Sequence, residues 1–122
     1  MHYVVIEPHR SEYPRPIRFA KGTLLDIGPR YEGEPGWQDW YLCSCTGQEP
    51  GWVPAQLIER LGVCQGRALD HYCAHELDAD PGQLVQMVRP LNGWVWCRRH
   101  GNGELGWLPA EKLQQLADRF MP

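Results

Sequence analysis

At 122 residues the chain is long enough for one ordinary domain or two very small ones. Hydrophobic residues at 43% exclude a disordered chain, while 13 Gly and 11 Pro interrupt it too often for long helices. Fifteen acidic against twelve basic residues, a net charge of −3, argue against a phosphate-backbone binder, and no apolar run approaches the roughly eighteen residues of a membrane span.

In chain order, Met1-His2-Tyr3-Val4-Val5-Ile6-Glu7 is too short and too soon acidic for a signal peptide. With no export signal, the five Cys are expected reduced and the chain cytoplasmic. Tyr13-Pro14-Arg15-Pro16 reads as a stiffened loop, with a short polyproline II segment as the alternative. Strands are expected around 24–27, 40–45 and 51–53, followed by a single helical turn opened by Pro54. Further strands are expected at 67–72, 83–89, 93–99 and 104–108. Asn92-Gly93 and His100-Gly101-Asn102-Gly103 mark turns, because Gly and Asn accept positive φ cheaply. Pro109 opens a second helical turn, and Leu113, Leu116, Ala117 and Phe120 at helical spacing predict a short C-terminal helix.

The chain repeats itself. Gly51-Trp52-Val53-Pro54-Ala55 is answered by Gly106-Trp107-Leu108-Pro109-Ala110 at an offset of 55. Upstream, Trp40-Tyr41-Leu42-Cys43 is answered by Trp94-Val95-Trp96-Cys97, and Gly22 by Gly82. Three blocks in one order predict two units, residues 1–62 and 66–122, divided near 62–67. Alternation along the repeated strand places Val53 and Leu108 inward, so Trp52 and Trp107 are expected accessible or packed between units. Cys43 and Cys97, at equivalent positions, are expected in the core as small hydrophobes.

These blocks resemble the Src homology 3 family, twice over. The second unit offers Ala68-Leu69-x-x-Tyr72, Glu76-Leu77, Pro81-Gly82, Trp94, Gly106 and Pro109. The first offers Gly22, Trp40, Gly51, Pro54 and Ile58, with a faint opening motif in Val4-Val5-Ile6-Glu7-Pro8-His9. The resemblance implies an all-β chain of two five-stranded barrels in tandem, each with an aromatic groove for proline-rich peptides. Carried over, the ligand-binding residues are Tyr72, Trp94 and Pro109 in the second unit, with Glu76 and Asp78 selecting a basic residue, and Trp40 and Pro54 in the first. Asp70, Lys112 and Leu57 replace rings of the two floors, and Asp70 and Lys112 are placed to pair across one of them.

Other constellations have plainer readings. Glu76, Asp78 and Asp80 also read as a solvated acidic loop. His71-x-Cys73-x-His75 and Cys43-x-Cys45 lack zinc-site spacing and read as core and surface residues. No nucleophile elbow, phosphate-cradling Gly loop or adjacent carboxylate pair points to catalysis, and no cofactor is implied. The expected function is a non-enzymatic module binding a peptide or protein partner, as a monomer or homodimer. Two alternatives stand beside it: a structural or regulatory subunit that assembles through exposed Trp surfaces, and a metal- or redox-responsive protein.

Overall fold

The computed structural model describes residues 1–33 and 35–116. Its strands, in chain order, are β1 (His2–Val5), β2 (Arg18–Phe19), β3 (Leu24–Arg30), β4 (Trp40–Ser44), β5 (Gly51–Pro54) and β6 (Ile58–Arg60). They continue with β7 (Gln65–Ala68), β8 (Tyr72–Cys73), β9 (Leu84–Leu91), β10 (Trp94–Arg99), β11 (Leu105–Pro109) and β12 (Leu113–Gln115). Helix among the described residues is limited to two 3₁₀ turns, Ala55–Leu57 and Ala110–Lys112. Pro54 and Pro109 cap these turns in extended conformation instead of opening them as first residues. The expected C-terminal helix is replaced at 113–115 by β12, which pairs with β1; its remainder, including Ala117 and Phe120, lies outside the described residues.

The chain is all-β, and its two five-stranded sheets have the same plan. One runs β5-β4-β3-β7-β6 and the other β11-β10-β9-β1-β12. β1 therefore sits among the strands of the second repeat, and β7, expected to open the second repeat, sits among those of the first. The compact units are Tyr13–Ala74, and Met1–Glu12 joined with the chain from His75 onward. The division expected at 62–67 falls inside the first of these, which we call the central unit; the other is the composite unit.

A short joint explains the exchange. Leu61–Cys64 spans only about 14 Å at full stretch, and it forms a hairpin loop instead, Leu61 N–H donating to Gln65 O at 2.9 Å. Closing so short a loop costs little entropy, so β7 pairs with its sequence neighbour β6. β1 fills the equivalent place in the composite unit with the same backbone bonds. Gly82 N–H donates to Val5 O and Gly22 N–H to Ala68 O, both at 2.8 Å. Val5 thus corresponds to Ala68, and counting on from each, His9 corresponds to Tyr72.

Each unit has its own core. The composite core comprises Val5, Leu77, Ala79, Val85, Val95, Cys97, Leu108 and Leu113. In the central unit Ile17, Leu25, Ile27, Cys43, Val53 and Leu57 are buried. The inward phase of Val53 and Leu108 and the burial of both Cys agree with the strand alternation. At the hairpin between β9 and β10, Asn92 and Gly93 take φ of 49° and 86°, as a two-residue turn requires.

Trp107 departs from expectation, being only 6% exposed. The chain returning from His75 lies along β11, with Trp107 N–H donating to His75 O at 2.9 Å and Leu77 N–H to Trp107 O at 3.1 Å. The Trp96 ring, paired in register, covers its indole at 5.1 Å. Trp52 has Leu42 at the corresponding place and stays half-buried.

Candidate functional site

The expected ligand-binding residues are divided between the units. Tyr72 lies in the central unit with Trp40 and Pro54; Glu76, Asp78, Trp94 and Pro109 lie in the composite one. In the central unit Trp40 and Pro54 are cross-strand partners, and both are buried. Tyr72 is buried against Phe19 at 5.5 Å, and its hydroxyl donates to Trp52 O at 2.8 Å.

The accessible rings of the central unit come from positions the motif comparison passed over. Trp52 Nε1–H donates to the Tyr13 hydroxyl at 3.2 Å. The Tyr31 ring meets Trp52 edge to face at 5.2 Å and Trp37 at 5.9 Å. Tyr13 is 41% exposed, and Tyr31, Trp37 and Trp52 are half-buried. Tyr13 belongs to the long loop before β2, Trp37 to the loop before β4, and Trp52 to β5. Three separate segments therefore converge on one aromatic surface. The clue in the sequence was the clustering of Trp and Tyr in loops beside the repeat blocks, since an apolar ring with a polar tip suits a half-wet surface.

In the composite unit Trp94 and Pro109 are cross-strand partners, Trp94 half-buried and Pro109 buried. His9 takes the place of the missing tyrosine, its ring 5.6 Å from Trp94 at 79°. Its Nε2 stands 2.7 Å from Glu76 Oε1 and its Nδ1 3.1 Å from Lys112 Nζ. An ammonium only donates. Nδ1 must therefore accept from Lys112, which leaves Nε2–H to donate to Glu76. Lys112 also donates to Pro8 O at 3.1 Å.

The acidic loop is tied to the arm, while Asp78 and Asp80 stay exposed. Glu76 holds His9, Asp78 Oδ1 accepts from Ser11 N–H at 2.8 Å, and Asp80 pairs with Arg10 at 2.6 Å. All three carboxylates fasten the arm Met1–Glu12 to the chain returning from His75. Asp80, by hydrogen bond and charge, raises the pKa of Arg10 further. Asp70, expected to pair with Lys112, belongs to the central unit, where it accepts from His71 N–H; Lys112 belongs to the composite unit, where it engages His9.

Among the described residues, no three His, Cys, Asp or Glu side chains are grouped to hold a metal ion. His71 accepts from Lys21 N–H in the central unit, while His75 meets Glu104 in the composite one. All five cysteines are free thiols. Burial pushes Cys43 up to about 11 and Cys97 up to about 12. Both are inert core groups at neutral pH. No helix of the described residues is long and apolar enough to cross a membrane.

Residues 2–61 match the family model of the variant SH3 domain, SH3 abbreviating Src homology 3. The chain is also similar to the SH3 and PX domain-containing protein 2B of Mus musculus, 28% identical over 136 aligned residues. The Homo sapiens protein of the same name is 27% identical over 136. Both alignments cover 98% of this chain, which spans 14% of the length of those relatives. No solved structure matches. The matched segment begins in the arm that carries β1 and ends at residue 61, within the central unit and before β7, so it takes in strands of both units.

Proposed function

We propose that the chain is a non-enzymatic protein-interaction module of two variant SH3-like units, and that its ligand is an extended, proline-rich peptide or protein segment. SH3 domains are protein-interaction modules that bind proline-rich peptides. The observation that carries the reading here is the convergence of Tyr13, Tyr31, Trp37 and Trp52 on one half-exposed surface of the central unit. A polyproline II segment has no internal hydrogen bonds and little conformational entropy left to lose, so flat rings can grip it at small cost. In this reading Trp40, Pro54 and Tyr72 support those rings from beneath. Trp94, over Pro109 and beside His9, supplies a smaller surface in the composite unit. Glu76 and Asp78 hold the arm, and Asp78 stays exposed beside it.

The test is nitrogen-15 NMR of the full chain with a decapeptide carrying two Pro-x-x-Pro repeats. The indole N–H signals of Trp37 and Trp52 are expected to shift on titration, and Trp52→Ala to remove the binding. Signals that stay still on titration, together with a stable dimer in sedimentation, would favour the subunit reading instead.

A further inference from the structure

The least ordinary cluster in the molecule is the one around His9. This ring is 8% exposed, lies in the composite unit beside Trp94, and is bonded at both nitrogens. Among the described residues, the charged groups around it are held in defined contacts. Glu76 approaches from the returning chain and Lys112 from the 3₁₀ turn after β11. Arg10 donates to the backbone oxygen of His9 and is held by Asp80, while Asp78 is occupied by Ser11 N–H.

The Lys112 contact exists in one protonation state only. Nδ1 accepts from the ammonium while the ring is neutral. A proton on Nδ1 sets a donor against a donor and a cation against a cation, 3.1 Å apart. The Glu76 contact behaves in the opposite way, because a charged ring donates to the carboxylate more strongly. Protonation therefore separates the two partners: Glu76 keeps the ring and Lys112 loses it. The charge of the three side chains goes from balanced to net positive beside the Trp94 ring.

We propose that His9 is a proton-operated latch on Lys112, and that acidification frees this ammonium to make the Trp94 surface a site for acidic peptide segments. The latch is independent of any ligand; its consequence for binding rests on the reading of Trp94 as part of an interaction surface.

Proton–carbon NMR of the full chain between about pH 5 and 8 tests the latch without a ligand. The Lys112 side-chain signals and the Trp94 indole signal are expected to move with the same midpoint as the His9 ring. In His9→Gln, whose amide donates and accepts but does not titrate in this range, both are expected to stay flat. Should that variant not fold, Lys112→Met serves, and the Trp94 response is expected to shrink. A His9 titration that leaves Lys112 unmoved, a response that survives His9→Gln, or a Trp94 response unchanged in Lys112→Met overturns the latch. A Glu-rich decapeptide is then expected to bind several-fold more tightly at the acid end, and less so to Lys112→Met. No gain in peptide binding, with the Lys112 response intact, refutes the ligand consequence and leaves the latch standing.

Discussion

A Cβ on Gly51 would stand 2.6 Å from Ile17 Cγ2, and the equivalent relation recurs in the other unit, where a Cβ on Gly106 would stand 2.8 Å from Leu77 Cγ. Ile17 and Leu77 are fully buried. In each unit the long loop's returning arm crosses directly over the first residue of the repeat's Gly-Trp block, and only glycine leaves room for it. Gly51→Ala and Gly106→Ala are each expected to destabilise the protein by about 2 kcal/mol, as overpacking of a filled core does. Denaturant unfolding followed by Trp fluorescence measures this; a midpoint within error of the parent for either variant would falsify the close-approach argument.

The exchange of β1 and β7 gives a second prediction. Residues 13–74 contain every strand of the central unit in one stretch, whereas the composite unit needs both Met1–Glu12 and the chain from His75. A 13–74 fragment is expected to fold alone, with dispersed amide NMR signals. A 62–122 fragment, cut at the repeat boundary, lacks Val5 and its strand and is expected to stay largely unfolded. Adding a peptide of residues 1–12 should rescue a 75–122 fragment, since burying Val5 alone contributes about 1.5 kcal/mol or more. The opposite ranking, 62–122 folded and 13–74 not, would restore the sequential arrangement.

Much of this fold was legible because repetition fixes strand positions twice. The strands beginning at Leu24, Trp40, Gly51, Leu84, Trp94 and Leu105 fall close to where alternation and turn residues put them. Partnership was not legible for β1 and β7. Val4-Val5 and Ala68 present the same apolar phase, so either strand fits either sheet, and the decision rests with a four-residue joint whose hairpin closure leaves no mark in the pattern. The site suffered for the same reason. A motif carried along the sequence joined Tyr72 to Trp94, while the exchange puts His9 there instead. Trp107 was misplaced because its cover, Trp96, is a side chain rather than a strand phase.

Asp39 carries a third prediction. It holds φ at 62°, and its carbonyl accepts from Ala55 N–H, just as Gly93, with φ at 86°, accepts from Ala110 N–H in the other unit. A left-handed conformation costs a residue with a full side chain about 1 to 2 kcal/mol, less for Asp and nothing steric for Gly. Asp39→Ala is expected to lose about 1 kcal/mol while Asp39→Gly stays at or above the parent, even though both remove the exposed Arg30 pair. Equal losses in the two variants would mean that the ion pair, not the backbone, sets stability here.

The buried thiols set the alkaline limit. Cys43 and Cys97 have an ordinary value of 9.0 and are raised by desolvation to about 11 and about 12. The folded state then holds protons that the unfolded state releases, so their contribution is intact below about pH 9 and is lost as pH rises toward 11 to 12. Stability is expected to fall across that window and to fall less in Cys97→Ala, measured against its own neutral-pH value. Under native conditions at neutral pH, exposed Cys64 should react with a thiol reagent well before Cys43 or Cys97. Prompt modification of all five would contradict the burial.

The last prediction concerns which tryptophan anchors a ligand. Trp52 touches the aromatic surface three ways: its indole N–H meets Tyr13, its ring meets Tyr31, and its carbonyl accepts from Tyr72. The carbonyl contact survives truncation, so Trp52→Ala removes the ring without undoing the backbone beneath it. Hot-spot truncations of this kind cost about 2 kcal/mol or more, a factor near thirty in affinity for a proline-rich peptide. Trp94→Ala alters a different surface in the composite unit and is expected to leave that affinity within about threefold, or about 0.6 kcal/mol. Tyr13→Phe deletes only the hydroxyl that accepts from Trp52 and should fall between them, because the exposed bond orients the ring more than it holds it. Calorimetric titration of the three variants with one peptide gives the ranking. If Trp94→Ala proves the most damaging, the working surface lies in the composite unit, and the rings of the central unit serve another partner.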